Sequence, residues 1–239
     1  MSSHPVDTFG GGEGKALAVI DMTYSAAHVD YGWIRYHRAR GETAMCDYYA
    51  SRLESLTIPN IRRAIDKFRE LSLPIYYTSC VARSSDFSDL NVHAHRIIEQ
   101  CRLTEIPVPY CTADERAAQV LDDLRPLSNE PIVYKPDYSA FNRTSFAADL
   151  RRDGVQTLYF VGVGTNYCVA FSVFDAYDAG FDCVLIEDAT ATLSSQEQID
   201  GVASVRAHAQ VMLTASALAF VQQASDARRA TAADPLQVS

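Results

Sequence analysis

Short apolar runs alternate along this chain with longer stretches in which apolar residues return every three or four positions. The runs at 16–21 (ALAVID), 74–79 (PIYYTS), 131–135 (PIVYK), 157–161 (TLYFV) and 182–186 (DCVLI) are rich in β-branched and aromatic residues, and most lack the polar alternation of a half-exposed strand. Runs of this kind fit short strands buried on both faces of a parallel sheet. Helical periodicity separates them. Thr57 is placed to cap a helix with Pro59 in its first turn, running through IRRAIDKFRELS and stopping before Pro74. Thr112 to Glu115 forms a capping box ahead of AAQVLDDL. Thr144 opens a further helix closed by Gly154, and 167–179 is helical in pattern with Gly180 beyond its end.

The repeated β-α-β-α order predicts an α/β fold: a doubly wound parallel β-sheet flanked by helices on both faces. One domain over 15–222 is expected, with a flexible, Gly-rich segment at 1–14 and a polar, flexible tail at 223–239. No internal repeat is apparent. Residues 31–55 are aromatic- and charge-rich and lie between the first strand and the first expected helix, where a lid, pocket wall or subunit contact would sit.

Composition narrows the partners. Hydrophobic residues at 48% and charged residues at 21% are ordinary globular usage, and 30 acidic against 21 basic residues leave a net charge of −9. That balance opposes binding to nucleic acid or to an anionic membrane and favours a small-molecule partner. The chain has no apolar run near the roughly 20 residues of a membrane helix and no apolar signal core at its start, so a cytoplasmic location is expected. Six cysteines without CxxC spacing are expected to be reduced and, for the most part, buried as small hydrophobes.

In an open parallel sheet, ligands gather beyond the carboxyl ends of the strands. Three polar residues stand there: Asp21 closes ALAVID, Lys135 closes PIVYK, and Cys168 follows TLYFVGV at a helix start. A helix N-terminus and a nearby ammonium both lower a thiol pKa, so Cys168 is expected to be partly thiolate at neutral pH. First-turn amides point to the same place and suit an oxyanion. The histidines are poorly placed for a Cys-His pair: His93 and His95 sit in a polar stretch, His28 and His37 in the variable segment. A carboxylate in a partly apolar cleft can serve as base instead, and Asp21 is the best candidate.

These blocks, AVID with Asp21, KPDYSAFNRTSF with Lys135, VGVGTNYCVAFSVFDAYDAGF with Cys168 and the following DCVLIEDA, resemble the isochorismatase-like cysteine hydrolases, the superfamily of nicotinamidase and N-carbamoylsarcosine amidase. The likeness runs from about Ala16 to Phe220. It implies an Asp21-Lys135-Cys168 triad, a cis peptide before Gly164, and an oxyanion hole from the amides of Gly164 and Cys168. It also implies hydrolysis of the C–N bond of a small amide or ureido compound through a thioester, without a cofactor. Nicotinamidases carry a histidine metal site after the second strand; YYTSCVARSSDFSDL has no histidine, so no catalytic metal is expected and nicotinamide is disfavoured. Thr23, where relatives often have Gln, alters the pocket floor. Retention of Cys168 favours acyl chemistry over vinyl-ether hydrolysis.

Tyr24, Trp33, Tyr138 and Phe141 flank the motif blocks as candidate pocket walls, and Arg83, just past the second strand, is a candidate partner for a substrate carboxylate. N-carbamoyl amino acids, ureidoacrylate and biuret are the substrate types the resemblance offers. It also suggests a homodimer or homotetramer. Two other readings stand beside this one: a catalytically silent binding or regulatory relative, and a thiol redox sensor in which Cys80 or Cys101 approaches Cys168.

Overall fold

The computed structural model describes residues 14–233. Six strands, β1 (Lys15–Ile20), β2 (Ile75–Cys80), β3 (Ile132–Lys135), β4 (Thr157–Val163), β5 (Asp182–Ala191) and β6 (Gln210–Met212), form one parallel sheet in the order β3-β2-β1-β4-β5-β6. The order reverses at β1, which lies between β2 and β4. A crevice therefore opens at the carboxyl ends of β1 and β4, the usual ligand position in such sheets.

Why the strands read as unbroken apolar runs is visible in β1. Leu17 and Val19 enter one core, while Ala16, Ala18 and Ile20 enter the other on the opposite face. Strand geometry sends alternate side chains to opposite faces, and here both faces are covered. The first core is completed by helix α4 (Ile58–Glu70) through Ile61, Ile65 and Phe68, and by α9 (Thr214–Ala233) through Ala217 and Val221. The second is completed by α6 (Phe146–Arg152), α7 (Ala170–Asp178) and α8 (Ser195–Val205). Gly162 allows β4 to lie this close to β1. Its φ is +119°, and a Cβ there would stand 2.1 Å from the Ile20 carbonyl oxygen.

Several elements depart from the sequence reading. The segment 31–55 holds α2 (Gly32–Ala39) and α3 (Thr43–Arg52), preceded by the single turn α1 (Tyr24–Ala27). A π turn, Leu53–Thr57, joins α3 directly to α4. Thr57 consequently has helical dihedrals and caps nothing; its hydroxyl donates to the Thr190 carbonyl at 3.3 Å. The capping box does close, with the Thr112 amide donating to Glu115 at 2.7 Å, but only the short 3-10 turns Arg116–Ala118 and Asp122–Leu124 follow. That stretch pairs its backbone with the residues after β1 instead, at Thr23 with Val120 and Leu121 with Met22. Helix α5 (Val92–Thr104), capped by Asn91, and strand β6 had no counterpart in the sequence reading. At the other end α9 continues to Ala233, so a flexible tail does not begin at 223; SDARRATAA is rich in good helix formers. Residues 1–13 and 234–239, where the remaining flexibility was expected, lie outside the described residues.

Candidate active site

Asp21 ends β1 in the left-handed region, at φ +49°. Asp tolerates that conformation better than most residues, and a threonine on the neighbouring strand holds it there. Thr78 accepts the Asp21 amide at 3.0 Å and donates its own hydroxyl to Asp21 Oδ1 at 2.7 Å. The other carboxylate oxygen, Oδ2, faces Lys135 Nζ at 2.7 Å as an ion pair between two buried side chains and takes no directed hydrogen bond. Lys135 donates in addition to the carbonyls of Asp137 at 3.0 Å and Tyr138 at 2.8 Å. Burial works against the Lys135 charge, but the Asp21 carboxylate and two nearby thiols outweigh it and hold the ammonium above its ordinary range.

Cys168 lies in a π turn, Thr165–Val169, that leads into α7. Tyr167, just before it, has non-helical dihedrals (φ −118°, ψ −106°) that interrupt the turn. Neighbouring elements clamp this turn. Thr165 donates to Gln198 at 2.8 Å, Gln198 donates on to Thr190 at 3.0 Å, and Thr192 donates to Asn166 at 2.5 Å. Gly201 of α8 lets the helix press against it, since a Cβ there would lie 2.9 Å from the Asn166 amide nitrogen. All peptide bonds among the described residues are trans, including that between Val163 and Gly164, so the implied cis peptide is corrected. Gly164 sits at φ −69°, ψ 128°, an ordinary extended conformation reached through the trans link that non-proline residues favour by about 3–4 kcal/mol.

The surroundings of Cys168 act on its thiol in opposing directions. Register places Cys80, the last residue of β2, opposite Lys135; its thiol donates to the Asp137 carbonyl at 3.7 Å, and Cys80 and Cys168 both line one cavity. The neighbouring Cys80 thiol and burial raise Cys168 well above the usual thiol range, against the pull of Lys135. The Cys168 thiol in turn lowers Cys80, helped by Lys135 and opposed by burial. The two sulfurs thus behave as one dithiol that gives up a first proton more readily than a second.

Asp21, Cys80, Gly164 and Cys168 all line one cavity of about 330 Å³. Trp33, Tyr36, Tyr49, Tyr110, Tyr138 and Tyr167 line it together with Thr23, and His37, Arg40 and Glu42 are contributed by α2 and the loop after it. Residues 31–55 are therefore a pocket wall. Burial pushes the Tyr138 phenol up to about 12, with the Cys168 thiol adding to it.

Of the residues expected in the wall, Trp33 and Tyr138 are there and three are not. Tyr24 turns outward, donating to Asp122 at 3.0 Å beneath the Arg116 guanidinium. Arg83 donates to the Arg143 carbonyl at 2.5 Å. Phe141 packs into the second core against Phe146 and Phe181. His93 lines the cavity instead of serving only a solvated face, because α5 turns it toward Tyr138. Thr78 and Gln198 escaped sequence reasoning altogether, and Cys80 entered it only as a redox partner in the sensor reading.

A parallel sheet with a cysteine turn after β4 and a buried Asp-Lys pair at its carboxyl edge defines a family. The isochorismatase domain model matches residues 54–216, and this chain belongs to that family. Among curated proteins it is similar to the ureidoacrylate amidohydrolase RutB of Rhizobium rhizogenes, 28% identical over 140 residues, 56% of this chain and 57% of that protein. The RutB of Agrobacterium fabrum is 39% identical over 71 residues, 30% of this chain and 31% of that protein. The chain thus matches little more than half the length of these relatives at most. Among solved structures, a cysteine hydrolase from Pseudomonas syringae pv. phaseolicola superposes with a TM-score of 0.68 at 19% identity, covering 88% of this chain and 93% of that one. The N-carbamoylsarcosine amidase of Thermoplasma acidophilum does so with a TM-score of 0.59 at 21% identity, covering 84% and 96%. At these identities the structures speak for the fold.

Proposed function

We propose that this chain is a cysteine-dependent amidohydrolase that cleaves the C–N bond of a small amide or ureido compound through a thioester. The observation that carries the reading is that Asp21, paired with the buried Lys135 behind it, and Cys168 line one cavity at the carboxyl ends of β1 and β4. The Cys168 thiol passes its proton to Asp21 Oδ2 as sulfur bonds to the carbonyl carbon, and the amides of Gly164 and Cys168 hold the resulting oxyanion. Collapse breaks the C–N bond, and the leaving amine or ammonia takes the proton from Asp21. Water then attacks the thioester carbon and gives a proton to Asp21, the C–S bond breaks, and Asp21 returns that proton to sulfur. Lys135 holds the Asp21 carboxyl group in place throughout. The curated relatives named for ureidoacrylate hydrolysis support the bond type. Ammonia release from a panel of amides, ureas and ureido acids tests it: turnover lost in Cys168→Ala and reduced about 10²–10⁴-fold in Asp21→Asn is expected, and full activity in either variant refutes the mechanism.

A second reading is favoured by one specific observation, the placing of Cys80 and Cys168 on the same cavity, where each thiol shifts the other. In this reading the pair is a redox sensor. A thiolate attacks a hydroperoxide, releasing hydroxide or alkoxide and forming a sulfenic acid; the second thiol condenses with it, losing water to give the Cys80–Cys168 disulfide. Peroxide treatment followed by peptide mapping distinguishes the readings. A Cys80–Cys168 disulfide whose reduction restores a measurable activity supports the sensor, and over-oxidation of Cys168 alone rejects it.

A further inference from the structure

We infer that the cavity selects an uncharged amide or urea carrying a ring-sized apolar group and turns away substrates that bear a carboxylate, an inference that rests on the amidohydrolase reading above. Two features point there. The first is the wall, in which six aromatic side chains are joined by Ala26, Ile97, Pro109, Val163 and Leu193. Two of its phenol groups are already engaged: Tyr49 donates to the Ala26 carbonyl at 2.9 Å, and Tyr36 accepts from Arg40 at 3.3 Å.

The second feature is how charge is matched inside the lining. Asp21 is paired with Lys135. Arg40 donates from Nε to Glu42 Oε1 at 2.9 Å, and the other Glu42 oxygen meets His37 Nδ1 at 2.5 Å. Each formal charge of the lining thus has an opposite charge beside it. Arg83, the expected carboxylate partner, is engaged elsewhere, on the Arg143 carbonyl. A substrate carboxylate would leave water for an aromatic wall and find Arg40 already neutralised by Glu42. Burying a charge without a free counter-charge is strongly unfavourable, whereas burying an apolar ring is favourable. This separates the chain from relatives whose named substrate, ureidoacrylate, is itself an anion.

A matched pair of compounds tests this directly. Phenethylurea and N-carbamoylphenylalanine differ only by the α-carboxylate, and ureidoacrylate serves as a small anionic comparison. Trp33 is the single tryptophan of the chain and lines the cavity, so its fluorescence reports occupancy without turnover. In the Cys168→Ser variant phenethylurea is expected to bind at least about tenfold more tightly than either anion, and the wild-type enzyme should show the same order in kcat/KM for ammonia release. Glu42→Gln frees Arg40, and the preference for the neutral compound should shrink by about tenfold or more. Equal or better binding and turnover of the anions by the wild type would overturn the inference while leaving the hydrolase reading intact. Absence of both binding and ammonia release across all three compounds would overturn this inference, and the wider panel above then decides the hydrolase reading separately.

Discussion

Replacing Lys135 by Met deletes one half of a buried ion pair and leaves the other half in place. Asp21 would keep its Thr78 hydrogen bonds but lose the ammonium 2.7 Å from Oδ2, and the carbonyls of Asp137 and Tyr138 would lose their donor in a buried site. Removing one member of a buried pair costs about 3–5 kcal/mol, and the two orphaned carbonyls place this case toward the upper end. For a chain of this size 1 kcal/mol moves Tm by about 2–4 °C, so a fall of about 6–20 °C is expected. The double variant Asp21→Asn, Lys135→Met removes both charges and should regain at least about half of that loss, because its remaining groups are neutral. Thermal unfolding followed by circular dichroism at pH 7 measures all four corners of the cycle. A Lys135→Met protein melting within about 2 °C of wild type would refute the claim that the pair is a buried, mutually dependent unit.

Cys80→Ala removes the neighbouring thiol that raises Cys168, so Cys168 should alkylate faster with iodoacetamide at pH 7, read by mass spectrometry; unchanged labelling would mean the two sulfurs do not interact. Glu130 receives two hydrogen bonds from Arg69, each at 2.8 Å, which overcome the effect of burial and keep its carboxyl below the ordinary glutamate range. Such a group stabilises the fold above its unfolded pKa, and the contribution is lost as pH falls through the folded value; Glu130→Gln should therefore cost about 1–3 kcal/mol at pH 7 in urea titrations, with the difference closing below about pH 4. Gly201→Ala drives a methyl toward the Asn166 amide and displaces the cysteine turn, so kcat should fall more than about tenfold while Tm drops by less than about 10 °C; the reverse pattern would show that the contact serves packing alone.

The five longer strands were legible because burial on both faces removes polar alternation, leaving apolar runs that turn residues bound. Strand β6 was not: QVM is three residues long at a sheet edge and carries no pattern of its own. The same difference runs through the site. Asp21 and Lys135 are visible in sequence as charges that end apolar runs. Cys80 ends one as well, but its place beside Lys135 follows from the β2–β3 register, a non-local pairing that no local pattern encodes. Tyr24 and Phe141 neighbour the motifs in sequence and miss the cavity because side-chain direction, not proximity along the chain, decides what lines a pocket. In the opposite sense, α2 brings Tyr36, His37 and Arg40 to the wall from a segment whose composition alone named no residue beyond Trp33.

The placement of the Asp21–Lys135 pair has a consequence for how the protein assembles. Asp21 belongs to a central strand, Lys135 to the edge strand β3, and Cys168 to a turn that follows β4. The chain between these points must close long loops before any of the three groups can meet, and contacts of that kind form slowly. Helical structure and collapse can recover early in refolding while β3 is still undocked, and such a species holds an isolated carboxylate at the end of β1. Recovery of turnover therefore requires all three strand ends to have docked, and it should lag behind the return of far-ultraviolet circular dichroism.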